Sequence, residues 1–164
     1  MYQKYRHVLI PVGMFGTFFL LGAIFFSRFS LSIDTQEFRC LTTWFVLVDH
    51  SDVDVKRGDI VAFIHKDGAR GMPKGKRFAK YLRGIPGDKV VIRENYTSIN
   101  GDRFDISMTA GIKHFNETMA TYERDFVVQE GQYFFMGNTK TSNDSRFWGT
   151  MDQSAVEGKA YAIF

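Results

Sequence analysis

The longest run of hydrophobic positions in this chain extends from Val8 to Phe26 and contains no charged residue. As a helix, with a rise of about 1.5 Å per residue, this run would be about 28 Å long, close to the thickness of the hydrocarbon core of a bilayer. Pro11 falls in its expected first turn, where a missing N–H costs little. The pattern therefore predicts a transmembrane anchor within residues 1–28.

The charges that flank the run predict its orientation. Lys4 and Arg6 precede it and Arg28 is the first charge after it, so the positive-inside rule favours a cytoplasmic N-terminus and places residues 29–164 on the periplasmic face of the inner membrane. A cleaved secretory signal is the alternative, since it has the same charged start. The run exceeds the usual length of about 7–15 apolar residues, and no A-x-A-like site follows Phe26, which favours a retained anchor.

After the anchor, hydrophobic positions come in short runs bounded by turn residues, which predicts one mainly β domain over residues 29–164. The Asn100-Gly101 pair predicts a tight hairpin, and residues 65–76 an exposed hairpin or flexible loop. Residues 107–124 are interpreted as an irregular insertion or a short cap. The predicted strands are Trp44–Asp49, Asp59–His65, Phe78–Arg83, Lys89–Arg93, Arg103–Ile106, Tyr133–Met136 and Lys159–Ile163.

Composition excludes several classes of function. The net charge is +3, but basic residues are interspersed with acidic ones, so no nucleic-acid partner is expected. Cys40 is the single cysteine, which rules out an internal disulfide, and the four histidines stand far apart in sequence. Neither a metal site nor a cofactor is therefore expected.

Lys80 is the first candidate for chemistry. It lies within large apolar residues on a predicted strand, just before a turn through Pro86 and Gly87. If its side chain faces inward, loss of water disfavours the ammonium form and favours an amine that can accept a proton. The alternative is one more surface lysine beside Lys74 and Lys76, and considered alone it is the more frequent case.

The segment from Gly137 to Gly149 is dense in polar side chains between two apolar runs. Asp144 and Arg146 could form an ion pair that fixes the shape of this loop, and Ser142 could hydrogen-bond a nearby lysine. An ordinary turn rich in Asn, Asp and Ser is the alternative.

Together these segments resemble the bacterial type I signal peptidases. KYLRGIPGDKV, at Lys80–Val90, resembles their K-R-x-x-G-x-P-G-D-x-V box, and GNTKTSNDSRFWG, at Gly137–Gly149, resembles their G-D-x-x-x-S-x-D-S-R-x-W-G box. KRGDIVAF, from Lys56, resembles the strand between nucleophile and lysine, and SINGD, from Ser98, resembles their hairpin. The order and spacing of all four agree across most of the chain after the anchor.

The resemblance implies a membrane-anchored protease of the serine-lysine type on a signal-peptidase-like β-barrel. It places Lys80 on the general base and Ser142 on the serine that orients that lysine. Asp144 and Arg146 fall on the pair that supports the loop. Substrates would be precursors with signal peptides that add as an extended strand beside the site, with small residues near the scissile bond.

The nucleophile departs from the family pattern. The family has Ser-Met-x-Pro or Ser-x-Pro, whereas this chain reads Cys40-Leu41-Thr42-Thr43. A thiol needs less help from its base than a hydroxyl, so a Cys40/Lys80 dyad is workable, with the backbone N–H of Cys40 as one oxyanion donor. The alternative is that Cys40 is a small buried residue in an inactive relative.

Two further departures concern the surroundings of the nucleophile. Phe38 stands where some members carry a second, side-chain oxyanion donor, and Asn138 replaces the acidic residue of the last box. Ser51 is another candidate nucleophile, but it lies on the wrong side of the strand that precedes it.

The short separation of Cys40 from Gly58 and the compact last box resemble most the branch found with conjugative plasmid transfer, the TraF-like peptidases. That branch implies a pilin or another component of a type IV secretion apparatus as substrate. A general signal peptidase and a catalytically inactive assembly factor of a conjugation apparatus are the alternatives.

Overall fold

The computed structural model of the chain describes residues 2–33, 39–66, 68 and 71–163. They form a long N-terminal helix followed by two β-sheets and two short helices. The helices are α1 (Tyr2–Arg28), α2 (Thr109–Phe115) and α3 (Ser145–Trp148), with 3₁₀ turns at Met119–Thr121 and Gln153–Ala155. The strands are β1 (Phe29–Ile33), β2 (Phe45–Asp49), β3 (Ile60–Ile64), β4 (Arg77–Gly84), β5 (Lys89–Ile92), β6 (Thr97–Ile99), β7 (Asp102–Phe104), β8 (Arg124–Val127), β9 (Gln132–Met136), β10 (Met151–Asp152) and β11 (Val156–Ala162).

Helix α1 presents its apolar side chains outward over most of its length. The segment His7–Arg28 is long and apolar enough to cross a membrane, with a mean hydropathy of 2.2. Because the helix begins at Tyr2, Pro11 lies inside it and not in its first turn. An interior proline removes one backbone hydrogen bond, which transmembrane helices tolerate.

The larger sheet has seven strands in the order β1-β2-β11-β3-β4-β9-β10, with antiparallel neighbours throughout. One of its hydrophobic clusters is built around Phe63, Leu82 and Phe135, and another around Val46, Val48 and Ala62. Phe63 and Phe135 stack with their ring centroids 4.5 Å apart. The phenylalanine-rich composition therefore supplies packing in the core.

The smaller sheet has four strands in the order β7-β6-β5-β8. Asn100 and Gly101 join β6 to β7 with positive φ angles of 52° and 96°, the backbone that a two-residue hairpin of this kind requires. Asp88 lies where the two sheets meet: its carboxylate accepts hydrogen bonds of 2.7 Å from the Ile85 N–H, Arg57 and Asn100. The Pro-Gly-Asp turn thus fixes how β4 leads into β5.

Helix α1 runs directly into β1, and an ion pair holds this junction. The Arg28 guanidinium donates to both carboxylate oxygens of Asp49, with the shortest contact at 2.6 Å. This hydrogen bond, with two more from Ser51, overcomes partial desolvation and keeps the pKa of Asp49 well below its usual range. Asp49 is therefore a carboxylate at neutral pH and links the helix to the sheet.

The first strands of the larger sheet carry apolar side chains on the face opposite the core. Residues paired directly in antiparallel strands point to the same face, so Leu31 and Tyr161 flank Leu47, and Ile33 lies beside Phe45. Leu31 and Ile33 are 54% and 55% exposed and Tyr161 is 43% exposed. We call these five residues the outer apolar face. It is continuous in sequence with helix α1.

The prediction of a mainly β domain after one N-terminal apolar helix is confirmed. The predicted strands are found with ends shifted by up to three residues, and the segment 107–124 forms a cap that contains α2. The strands predicted from the sequence do not include β1, β6, β8 or β10, and the short helix α3 was not predicted.

We predict that Gly158→Ala destabilises the fold. Gly158 lies at a bulge in β11, and a Cβ added there would stand 2.1 Å from the carbonyl oxygen of Asp49, which belongs to a paired strand. The backbone must shift to relieve this contact, so we expect a loss of about 1–3 kcal/mol in the free energy of unfolding. Chemical denaturation of the full chain in detergent measures the change. Lys89→Ala, at an exposed site on the smaller sheet, is the control, and equal stabilities of the two variants would contradict the prediction.

Candidate functional site

Lys80 is a core residue and not a surface lysine. It lies on β4 opposite Val61 of β3, and its side chain is 0% exposed. Its Nζ donates to the Oγ of Ser142, which is itself buried, at a distance of 3.4 Å. The interpretation as one of several solvated lysines is therefore wrong, and the fold holds an amine and a hydroxyl together away from water.

The loop that carries Ser142 is fixed by an ion pair between Asp144 and Arg146, both 0% exposed. One carboxylate oxygen accepts from the Arg146 Nε at 2.8 Å and the other from its Nη2 at 2.8 Å, a two-point contact. The remaining Nη1 donates to the carbonyl oxygen of Ile106 at 2.9 Å. The pair thus connects the loop to the segment before α2.

Asp144 also organises the backbone around it. Its Oδ2 accepts from the N–H of Gly137 at 2.9 Å, and its Oδ1 accepts from the backbone N–H of Arg146, which caps α3. Burial alone raises the pKa of this carboxyl. The charge and hydrogen bonds of Arg146, the charge of Lys80 and the N–H of Gly137 outweigh that effect, so the pKa of Asp144 is lowered. Asp144 is consequently ionised at neutral pH.

Cys40 is buried, and the same loop holds the backbone on both sides of it. The N–H of Asn138 donates to the carbonyl oxygen of Cys40 at 3.1 Å. The side chain of Asn138 accepts from the N–H of Thr42 and donates to the Thr42 hydroxyl, each at 3.1 Å. The hydroxyls of Thr139 and Thr141 donate to the carbonyl oxygen of Arg39. The asparagine that replaces an acidic residue therefore joins the loop to the segment that follows the cysteine.

Gly137 lies where the segment of Cys40 and the loop of Ser142 pack closely together. A Cβ added at Gly137 would stand 2.2 Å from the Oγ of Ser142 and 2.3 Å from the carbonyl oxygen of Cys40. No side chain fits between them, so a glycine is needed for this approach. The carbonyl oxygen of Cys40 therefore lies close to the Oγ of Ser142, which Lys80 also contacts.

Two cavities open at Cys40. The larger has a volume of about 660 Å³, and Cys40 and Ser142 are both in its wall. The smaller, about 100 Å³, has Cys40 and the small side chains of Ala62 and Ala79 in its wall. We call them the large cavity and the small cavity. An extended chain that passes Cys40 would have access to both.

Other positions singled out by the sequence fall elsewhere. Phe38, where a second oxyanion donor was considered, lies outside the described residues. The hydroxyl of Ser51 donates to the carboxylate of Asp49, close to where helix α1 ends, and Ser51 lines neither cavity. Within the described ranges, no three His, Cys, Asp or Glu side chains are grouped as metal ligands. The sequence revealed neither the contacts that Asn138 makes with the segment of Cys40 nor the walls of the large cavity. Both depend on contacts between segments that are distant in the chain.

We predict that Asp144→Asn strongly destabilises the protein. An amide keeps the shape of the carboxylate but removes its charge and one acceptor, which leaves a completely buried guanidinium without its counter-charge. Breaking one side of a buried ion pair costs about 3–5 kcal/mol.

Equilibrium unfolding of the full chain in detergent tests this prediction. The matched control is Asp102→Asn, at an exposed position on β7, which should change the free energy of unfolding by less than about 0.5 kcal/mol. Equal effects of the two variants would show that the Asp144–Arg146 pair does not support the fold.

The sequence of this chain is similar to those of known proteins. The family model described as signal peptidase, peptidase S26, matches residues 4–164. The probable signal peptidase I-2 of Synechocystis is 29% identical over 113 residues, which cover 68% of this chain and 49% of that protein. Signal peptidase I of Bacillus licheniformis is 32% identical over 117 residues, which cover 68% of this chain and 60% of that protein.

The chain therefore spans about half to three fifths of the length of these two relatives. A crystal structure of a signal peptidase I from Enterococcus faecalis shares 33% identity, covers 64% of this chain and 95% of that one, and superposes with a TM-score of 0.42. Because the family model matches nearly the whole chain, the chain belongs to the signal peptidase family, peptidase S26.

Proposed function

We propose that this protein is a membrane-anchored endopeptidase that cleaves exported precursors, with Cys40 as nucleophile and Lys80 as general base. The observation that carries the proposal is the completely buried amine of Lys80, 3.4 Å from the hydroxyl of Ser142, in a site where Ser142 and Cys40 share one cavity wall. Among the residues that the structure describes, Lys80 has no carboxylate as a hydrogen-bond partner. A buried lysine in that state is costly for a fold, which supports a chemical role.

In the first half of the reaction, Lys80 acts as the general base and takes the thiol proton of Cys40. The thiolate attacks the scissile carbonyl, a bond forms between Sγ and carbon, and the carbonyl oxygen becomes an oxyanion. The backbone N–H of Cys40 is one donor to that oxyanion. When the C–N bond breaks, the Lys80 ammonium gives its proton to the leaving amine, and the N-terminal fragment stays on Cys40 as a thioester.

In the second half, water hydrolyses the thioester. Lys80 takes a proton from the water as its oxygen attacks the acyl carbon, and the bond to Sγ breaks. The Cys40 thiolate then takes the proton back from Lys80. The hydrogen bond from Lys80 to Ser142 keeps the amine in place through both halves, which makes Ser142 a positioning residue.

The surrounding loop supplies the rigidity that such a dyad needs. Asp144 and Arg146 fix the loop, and Asn138 joins it to the backbone of Cys40 and Thr42. Because both partners of the dyad contact the same loop, their separation depends on one structural unit. Catalytic groups are most effective when packing and hydrogen bonds limit their motion.

The placement at a membrane has two supports. The family is membrane-associated, and α1 has the length and hydropathy of a membrane span. The outer apolar face continues directly from the end of that helix and exposes Leu31, Ile33 and Tyr161. A lipid surface against this face would bury apolar area that is otherwise in contact with water. In this arrangement the N-terminus is cytoplasmic, residues 1–28 form the anchor, and the β-rich domain of residues 29–164 rests on the outer surface of the inner membrane.

The substrate is an extended precursor segment that lies along the site as an added strand. The small cavity, lined by Ala62 and Ala79, suits a small side chain close to the scissile bond. The short separation of Cys40 from Gly58 and the compact last box favour a pilin or another component of a conjugative type IV secretion apparatus. A general signal peptidase would share the same chemistry and differ in its range of substrates.

We expect Cys40→Ala and Lys80→Met to lose cleavage by about 10³-fold or more, since each removes a group that acts in every turnover. Methionine fills much of the space of the lysine side chain without a base, which protects the core. The measurement is cleavage of a candidate pilin precursor and of a general signal-peptide precursor by the full chain in membranes, with unfolding checked separately. Lys89→Met, at an exposed lysine on the smaller sheet, is the matched control.

Other outcomes of the same cleavage experiment distinguish between the proposed mechanism and the alternative functions. Cys40→Ser is expected to retain measurable activity, because a hydroxyl in that position can react with the same base. Full cleavage by folded Cys40→Ala would remove the thiol from the mechanism. Absence of cleavage in every folded form, with both precursors, would favour an inactive assembly factor.

A further inference from the structure

The two cavities that meet at Cys40 differ in size and in their walls. The small cavity lies over β2, β3 and β4 and is bounded by small or buried side chains such as Ala62 and Ala79. The large cavity lies between the loop of Ser142 and helix α2. A volume of about 660 Å³ falls within the range of about 300–1,000 Å³ that ligand sites occupy. It is therefore large enough for a bulky side chain together with its neighbours.

The walls of the large cavity are mainly apolar. Phe147 and Phe115 form one side, with ring centroids 5.5 Å apart in an edge-to-face arrangement, and Tyr122 packs on Phe147 from behind at 5.1 Å. Helix α2 adds Ala110 and Gly111. Aromatic rings in this arrangement offer both faces and edges to another ring, so the cavity suits an aromatic or large aliphatic side chain.

The position of helix α2 depends on close packing against the loop of the site. A Cβ added at Gly111 would stand 2.3 Å from Cζ of Phe147, so the helix backbone rests directly on that ring. Arg146 also donates to the carbonyl oxygen of Ile106, just before the helix. The loop that carries Ser142 thus also holds the cap in place, so the large cavity between them is a fixed feature of the fold.

We propose that the large cavity binds a bulky apolar side chain of the substrate on the C-terminal side of the scissile bond, and that α2 determines this specificity. The inference rests on the proposed function. In this arrangement, a substrate segment crosses Cys40 and places the small residue that precedes the cleaved bond in the small cavity. The residues that follow the cleaved bond then extend towards α2. Lys113 lies exposed in the wall of this cavity, so a basic side chain is disfavoured there.

The first test uses peptides with small residues before the cleavage site and either Phe or Ala at each of the first three positions after it. We expect the full chain to cleave the Phe peptide at least tenfold more efficiently, in kcat/KM, at one of these positions. Ala110→Phe, which fills the cavity from an exposed position, should reduce that ratio to near one. Ala120→Phe, at an exposed alanine of the same cap that lines neither cavity, is the matched control and should leave the ratio unchanged.

Equal cleavage of Phe and Ala peptides at all three positions would overturn this inference and leave the peptidase proposal in place. If the peptidase proposal fails and no peptide is cleaved, a second measurement that needs no cleavage still tests the inference about the large cavity. A peptide with a photoreactive phenylalanine analogue after the scissile bond should crosslink to residues 109–115 or Phe147 in the Cys40→Ala variant. Crosslinks confined to β2, β3 or β4 would assign the bulky residue to the small cavity and contradict the proposal.

Discussion

The buried ion pair between Asp144 and Arg146 is the interaction on which the site depends. Two charges removed from water are costly to the fold, and the cost is offset here by a two-point contact and three further hydrogen bonds to backbone groups. Each of those backbone groups belongs to a different part of the site: Gly137 leads into the loop, Arg146 lies in the first turn of α3, and Ile106 precedes the cap. One electrostatic unit therefore sets the position of Ser142, of α2 and, through Asn138, of Cys40.

Cys40, which we propose as the nucleophile where the family pattern has a serine, is compatible with the loop that surrounds it. The contacts that hold Cys40 are made by its backbone and by the residues on either side of it, so they do not depend on whether its side chain carries oxygen or sulfur. A thiol requires less assistance from a base than a hydroxyl does. The sheet and loop that position the amine can therefore serve either nucleophile, and the departure at Cys40 leaves the chemistry of the proposed function intact.

Much of the site was predictable from local sequence because its parts lie in short motifs. Apolar neighbours on one strand allowed an inward position for Lys80, although a surface lysine considered alone was the more frequent case, and the motif resemblance gave it a catalytic role. Two charges in one turn allowed the Asp144–Arg146 pair. The hairpin at Asn100 and Gly101 was predictable because only a few residue types adopt its backbone angles.

What the sequence did not reveal depends on contacts between distant segments. Strand β1 was missed because its five residues follow the apolar helix without a break, and its role becomes visible only in its pairing with β2. The large cavity forms between α2 and Phe147, about thirty residues apart in the chain, and no periodic pattern marks it. Asn138 has the composition of an ordinary turn, while its role comes from Thr42, far earlier in the sequence.

In the proposed mechanism, the thiol of Cys40 forms a covalent bond with the substrate. The most direct test is to mix the full chain with a precursor, stop the reaction in acid within one turnover, and identify adducts by mass spectrometry. We expect the N-terminal fragment attached to Cys40 as a thioester, and no such adduct in Lys80→Met, if this mechanism is correct. Cleavage without an adduct on Cys40, or an adduct on Ser142, would contradict it.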